Sequence, residues 1–282
     1  MIPNLRCLVS ILVFVGLPTA AHAGAWPQSP GATYAKLSVS TFSTTRFHTS
    51  EGQRLDTSEY SQLRLDGYLE AGITARLTGV LRLPIVERAS FETSETHTAP
   101  GDLTLEARYA VRTGASPIAL GLRVELPTGD SEGITPLRNT DGFVRLPTGD
   151  NETTLEPVLT VSHSFYPVPA YITGDAGYAF RGNGFTDAYR GHLEAGWRPA
   201  ARILIRGTLD TFGPVTTPNR QLSLDASNGR GEGVQFTRLG GGIGYDPAPG
   251  LTVMLEIATS VWRTANAYGG TLFTLGMSWQ RP

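Results

Sequence analysis

The sequence is poor in cysteine and in lysine. Its one cysteine, Cys7, lies near the start of the chain, and its one lysine is Lys36. A chain without cysteine beyond residue 7 cannot be held together by internal disulfide bonds. Because Lys36 is the only lysine, arginine supplies nearly all of the positive charge. The chain has 23 basic and 25 acidic residues, so its charges are nearly balanced. This balance provides no basic surface of the kind that binds nucleic acid, so we expect no nucleic-acid partner.

The sequence also lacks a long hydrophobic run. The longest, Cys7 to Leu17, has about eleven residues, whereas a helix that spans a membrane needs about 20. This run follows Arg6 and precedes the small residues Ala21-His22-Ala23, an order typical of a secretory signal peptide cleaved after Ala23. We therefore predict a signal peptide over 1–23 and no lipid anchor. If the exported chain enters a membrane, it does so with strands.

Apolar and polar residues alternate with a period of two along most of the chain. Between 62 and 71 one parity carries leucine, glycine and alanine, whereas the other carries Gln62, Arg64, Asp66, Tyr68 and Glu70. Successive side chains of a strand point to opposite faces, so the pattern indicates a strand with one apolar face. About twelve such segments occur, near 33–44, 58–70, 75–88, 101–113, 117–128, 153–165, 170–181, 188–198, 202–212, 234–245, 251–262 and 271–280.

The connections between these segments alternate in length. Those after even-numbered segments are short, such as Gly72-Ile73-Thr74 and Pro199-Ala200, and those after odd-numbered segments are generally longer and polar, such as 45–57, 89–100, 128–152 and 213–233. Tight turns at one end and long loops at the other are typical of transmembrane barrels. The sequence therefore predicts an all-β fold: a single transmembrane, antiparallel, up-and-down β-barrel of about twelve strands over 24–282, in the outer membrane of a Gram-negative bacterium.

A soluble sandwich or a lipocalin-like barrel is the structural alternative, because alternation alone does not exclude it. The strand lengths and the concentration of charge on one parity favour the membrane. An arginine that faces lipid near the midplane costs about 2–4 kcal/mol, so the apolar parity faces outward. We accordingly expect outer-membrane lipid and lipopolysaccharide around the barrel, and the barrel-assembly machinery as a partner during biogenesis.

The inward parity carries arginines and carboxylates in nearly equal numbers. Two interpretations are open: the charges form a structural network that rigidifies the barrel, or some of them line a narrow polar path that orients a small charged or polar solute. The candidate lumen-lining residues are Arg64, Asp66, Arg82, Glu106, Arg108, Arg123, Glu125, Glu156, Arg190, His192, Glu194, Arg206, Asp210, Arg238 and Glu256.

No residue pattern indicates catalysis, a metal site or a cofactor. Ser162 and His163 are adjacent in a predicted strand, so their side chains point to opposite faces. We interpret His192 beside Glu194 as a member of a lumen ion pair rather than as an acid–base pair. No spacing of Cys or His suits a metal, and no glycine-rich phosphate loop opens a helix. We expect no enzyme activity, no catalytic or metal-binding residues and no cofactor.

The pentapeptide LPTGD occurs twice, at Leu126–Asp130 and at Leu146–Asp150, on either side of the longest loop. Proline ends a strand, and threonine, aspartate and glycine favour turns, so we interpret each copy as a strand-exit or strand-entry turn. A calcium site or a ligand site at Asp130, Asp141 and Asp150 is the alternative, although hard cations need more oxygen ligands than the segment supplies.

These repeats, together with SFYPVPAYITGDAGYAFRGNGFTDAYRGHLEAGWRP from Ser164 to Pro199, resemble the outer-membrane transporter family named for the meta-pathway of phenol degradation. The resemblance covers most of the chain after residue 23. It implies a barrel that passes small solutes, aromatic ones included, and supplies no binding residues. No N-terminal plug segment is evident in the sequence.

We therefore predict an outer-membrane channel or transporter for small solutes, including aromatic or charged ones. One alternative is a non-conducting structural or surface-interaction barrel with a salt-bridged lumen. The other is an outer-membrane enzyme that modifies lipid.

Overall fold

The protein is a closed antiparallel β-barrel of twelve strands. The computed structural model describes residues 24–218 and 231–282, and the predicted signal peptide lies outside them. Each strand pairs with the next along the chain, and the last pairs with the first, which closes the barrel. The barrel strands are β1 (Thr33–His48), β2 (Arg54–Gly72), β3 (Leu77–Phe91), β4 (Leu103–Arg112), β5 (Ile118–Leu126), β6 (Thr154–Ser164), β7 (Ala170–Arg181), β8 (Ala188–Ala200), β9 (Ile203–Pro214), β10 (Gln235–Ala248), β11 (Leu251–Ala265) and β12 (Thr271–Arg281).

The predicted all-β barrel is confirmed, and each predicted segment matches a strand to within four residues at either end. Within the described ranges, no helix is long and apolar enough to cross a bilayer. Four short strands lie in the loops: His97–Ala99, Ile134–Pro136, Phe143–Arg145 and Ala267–Tyr268. We call the end of the barrel that carries the short turns the short-turn end and the opposite end the long-loop end.

The hairpin of β1 and β2 extends beyond its predicted strands at the long-loop end. Most of the predicted loop 45–57 is strand, and the register continues to His48 opposite Arg54. The sequence there is mostly polar, and Phe47 and Leu55 are its only large apolar residues. The strands of 45–57 were predicted as a loop because of this polarity. A two-stranded ribbon that extends beyond the apolar belt needs no apolar face, so its sequence need not alternate.

The distribution of burial is the reverse of that in a soluble protein. Outward leucines such as Leu120, Leu159 and Leu255 are exposed, whereas the inward carboxylates Glu70 and Glu156 are buried. In soluble proteins, large apolar side chains are buried and carboxylates are mostly exposed. The outer belt is therefore suited to lipid, and polar groups fill the interior.

Inward glycines make room for the large polar side chains of neighbouring strands. A Cβ at Gly177 would collide with Glu156, and one at Gly196 would collide with the ring of Tyr171. In the segment LGGGIG, a Cβ at Gly242 would lie 2.9 Å from Cγ of Glu256. These glycines thus leave space for the large polar side chains of the lumen.

Candidate functional site

One wall of the lumen, formed by β2 to β6, is covered by a buried ion-pair network. Glu106 accepts from Nε of Arg108 at 3.0 Å and from Nε of Arg123 at 3.1 Å. Arg123 also donates through Nη1 to Glu156 at 2.8 Å. Arg82 lies 3.5 Å from Glu106. Removing one member of such a network would leave a buried charge unpaired, which is strongly destabilising.

A second network joins β1, β8, β9 and β11 near the short-turn end. Arg206 bridges Glu194, at 3.0 Å, and Glu256. Lys36 lies 2.8 Å from the other oxygen of Glu256, and the hydroxyl of Tyr171 donates to Glu194 at 2.6 Å. A cavity bounded by Tyr34, Tyr171 and Leu204 lies beside these groups.

The middle of the lumen is less densely paired. Arg64 lies 2.7 Å from Asp66, and Nδ1 of His192 lies 2.6 Å from Asp210. Arg190 is 3.6 Å from Glu125 and 3.4 Å from Glu156, which are long ion-pair distances. Arg238 points to the same space without an ion pair to any described residue, and its guanidinium lies over the ring of Phe236.

These contacts place the predicted lumen residues in two buried networks and one looser middle zone. The networks hold Arg82, Glu106, Arg108, Arg123, Glu156, Glu194, Arg206 and Glu256, and the middle zone holds Arg64, Asp66, Glu125, Arg190, His192, Asp210 and Arg238. The lumen role of these residues in solute passage stays a prediction.

Sequence reasoning missed Glu87, which is fully buried and bonded to Gln62 at 2.6 Å. The alternation in the segment 75–88 assigns position 87 to the outward parity. A register shift opposite Leu65 and Asp66 inserts one extra residue in β3, so the parity of the strand reverses beyond it. A single sequence carries no clear signal for such a bulge.

The groups considered for catalysis or calcium binding are engaged otherwise. His163 points away from Ser162 and instead lies 2.7 Å from the hydroxyl of Ser116. Asp130 accepts the amides of Glu132 and Gly133, which lowers its pKa. Among the described residues, no group of His, Cys, Asp and Glu is arranged to hold a metal ion.

The loop between β5 and β6 folds over the long-loop end. Leu146, in the second LPTGD copy, is fully buried against Phe47, Tyr60, Phe91 and Tyr268. The rings of Tyr60 and Tyr268 are stacked with centroids 4.6 Å apart. We call this segment, 127–153, the lid, because its apolar contacts lie across one side of the opening.

The two LPTGD copies hold the lid by matching contacts to the segment before β4. Thr128 Oγ1 donates to Gly101 O at 2.9 Å, and Thr148 Oγ1 donates to Pro100 O at 2.7 Å. Asp102 lies between the copies and accepts the amides of Gly129, at 2.8 Å, and Asp150, at 3.3 Å. The predicted turns therefore end strands and also join the lid to the segment before β4. We call these contacts around Asp102 the clasp.

No N-terminal plug segment is evident in the sequence, but residues 24–28 lie across the short-turn end of the lumen. Gly24 O accepts from Arg108 at 2.6 Å, and the amide of Ala25 donates to Ser162 Oγ at 2.9 Å. Gln28 donates from its side chain to Glu70 at 2.9 Å and from its amide to Thr78 Oγ1 at 3.0 Å. This short segment has no periodicity, and its partners are distant in sequence, so the sequence offered no signal for it.

Comparison with known proteins agrees with the fold. The COG4313 outer membrane channel from Pseudomonas putida F1 is 13% identical, with a TM-score of 0.66, over 92% of this chain and 99% of that one. A mutant of the monoaromatic hydrocarbon channel TodX has 10% identity and a TM-score of 0.52, over 89% and 90% of the two chains. The β domain of the Bordetella autotransporter BrkA has 13% identity and a TM-score of 0.50, over 90% and 100%.

No family model and no curated protein matches the sequence. At these low identities the structural similarity establishes an outer-membrane type of barrel fold, which channels and an autotransporter domain share, and it assigns no solute.

Proposed function

We propose that the protein is an outer-membrane channel that passes small solutes through its lumen. The observation that carries this proposal is the accessibility of inward charged side chains in the middle of the barrel. Arg64, His192 and Asp210 expose 34%, 30% and 42% of their side-chain surface. An inward side chain is accessible only if space for at least a water molecule lies beside it. A hydrated zone with fixed charges of both signs is the environment in which polar channels select solutes.

The surroundings belong to the same proposal. The exposed apolar belt supports a location in outer-membrane lipid and lipopolysaccharide, with insertion by the barrel-assembly machinery. The similar structures described as channels support it at the level of the fold. The meta-pathway resemblance supports small, aromatic solutes among the cargo.

A non-conducting structural barrel is the second candidate. It is favoured by the two buried ion-pair networks and by the two segments that lie over the ends of the lumen, the lid and residues 24–28. In this case the charges would serve rigidity alone, and the long loops would carry any interaction with the surface.

Single-channel conductance in planar bilayers distinguishes the two candidates. We expect the purified, refolded chain from residue 24 to give small, discrete conductance steps. We also expect Gln28→Ala to enlarge the steps or their frequency, because it removes the side-chain bond to Glu70. Gln53→Ala, the same substitution at an exposed position of the β1–β2 turn, is the control and should behave as the unmodified chain. A silent chain whose folding is verified by heat-dependent gel mobility would reject the channel and favour the structural barrel.

A further inference from the structure

Arg238 differs from the other arginines predicted to line the lumen. The other six each pair with at least one carboxylate. Within the described ranges, Arg238 has neither a hydrogen bond nor a carboxylate within 4.0 Å, although Asp210 lies directly opposite it on β9. Asp210 is bonded to His192 instead. Among the described residues, none accepts a hydrogen bond from the Arg238 guanidinium, so these donors are open to another acceptor.

The contacts of Arg238 are aromatic. Its guanidinium carbon lies 4.1 Å from the ring centroid of Phe236. The ring of Phe236 is stacked with that of Phe212, with centroids 5.9 Å apart and planes inclined by 29°. Phe212 and Phe236 are opposite each other on β9 and β10, on the same inward parity as Asp210 and Arg238. The half-buried rings form an apolar surface beside a guanidinium that is not paired with any described carboxylate.

The surrounding charges favour an anion at this position. Arg64, on β2, and Asp210 are both close enough for their charges to act on Arg238, and Arg190 lies over Phe212 at 5.5 Å. The opposing carboxylate, Asp210, is engaged by His192. A guanidinium presents a planar fork that matches the two oxygens of a carboxylate, whereas an aromatic ring is suited to stacking on another ring.

We propose that Arg238, Phe236 and Phe212 form a solute subsite for a planar aromatic carboxylate, whose ring lies on the phenylalanines and whose carboxylate binds Arg238. This inference rests on the proposed channel function and specifies its solute class. The subsite combines one charged anchor with an apolar surface, as small-molecule sites commonly do. An aromatic hydrocarbon without a carboxylate would contact only the phenylalanine rings. A carboxylate without an aromatic ring would contact only Arg238.

The test measures block of single-channel current by benzoate, with acetate and toluene as comparison solutes. We expect benzoate to block at a concentration about tenfold or more below that of acetate, and Arg238→Gln to remove most of this advantage because a charge-assisted bond is lost. Phe236→Ala should weaken block by benzoate and leave block by acetate nearly unchanged. Arg76→Gln removes the same charge from an exposed turn and is the matched control.

Each outcome decides one of the two proposals. Equal block by benzoate and acetate would overturn the subsite while leaving the channel intact. An Arg238→Gln variant that benzoate blocks as strongly as it blocks the unmodified chain would do the same. A folded but silent chain would overturn the channel. Calorimetric titration of benzoate into the detergent-solubilised chain and its Arg238→Gln variant would then decide the subsite, since binding without dependence on Arg238 rejects it. Heat-dependent gel mobility verifies that each variant is folded.

Discussion

At the scale of the residue, Glu152 lies where the lid meets the barrel wall. Its carboxylate lies 2.6 Å from Nε of Arg181, which also contacts Asp150 at 3.2 Å. Burial and the charge of Asp150 nevertheless raise the pKa of Glu152 to about 7 from an ordinary value of 4.5. The folded protein therefore binds this proton more tightly than the unfolded chain does. The resulting stabilisation is fully present below pH 4.5 and is lost as the pH rises through about 7.

We accordingly predict that Glu152→Gln changes the pH dependence of stability. Relative to the unmodified chain, the variant should gain about 2 kcal/mol of unfolding free energy between pH 5 and pH 8, because glutamine carries no charge that must be buried. Urea unfolding of the lipid-reconstituted barrel, followed by tryptophan fluorescence at both pH values, measures this difference. Glu132→Gln, at an exposed position of the same lid, should follow the unmodified chain. Parallel pH profiles for all three proteins would exclude a titrating Glu152.

At the scale of the element, the lid is held by the clasp around Asp102. Replacing Asp102 with Asn removes one of its two acceptor oxygens, so one of the amides of Gly129 and Asp150 loses its partner. We expect the lid to open more readily by about 1–3 kcal/mol, the usual cost of an unsatisfied buried group. Limited proteolysis within 127–153 should accelerate about tenfold or more. Asp141→Asn in the same loop is exposed and should not change the rate, whereas equal rates for both variants would contradict the clasp.

The elements also show what could be predicted from the sequence. All twelve strands were predictable because alternation is local and because one face of each strand must suit lipid. The parity of β3 beyond its bulge was not predictable, and Glu87 was missed for that reason. The position of residues 24–28 depends on Thr78, Arg108 and Ser162, which only the closed barrel brings together. The candidate subsite could be predicted only in part. Alternation predicted that Arg238 faces the lumen, but its lack of an ion pair with the opposite residue, Asp210, arises because Asp210 bonds to His192.

At the scale of the whole molecule, the decisive property is the solvent that surrounds the barrel. Leu159, in the middle of β6, faces outward and is 46% exposed, and Val168 is 53% exposed in a turn at the short-turn end. If lipid surrounds the barrel, Leu159→Arg should reduce the unfolding free energy by about 2–4 kcal/mol. Val168→Arg should reduce it by only about 0–1 kcal/mol, because the cost of a lipid-facing arginine falls with distance from the midplane.

Urea titration of both variants in lipid vesicles measures this difference. Surface substitutions in a water-soluble barrel usually change stability by no more than about 0.5 kcal/mol. Equal and small effects at both positions would therefore argue that water surrounds the barrel, and would remove the membrane on which the channel proposal depends. A large effect at Leu159 alone would locate the midplane near the middle of β6 and would support the membrane location on which the channel proposal depends.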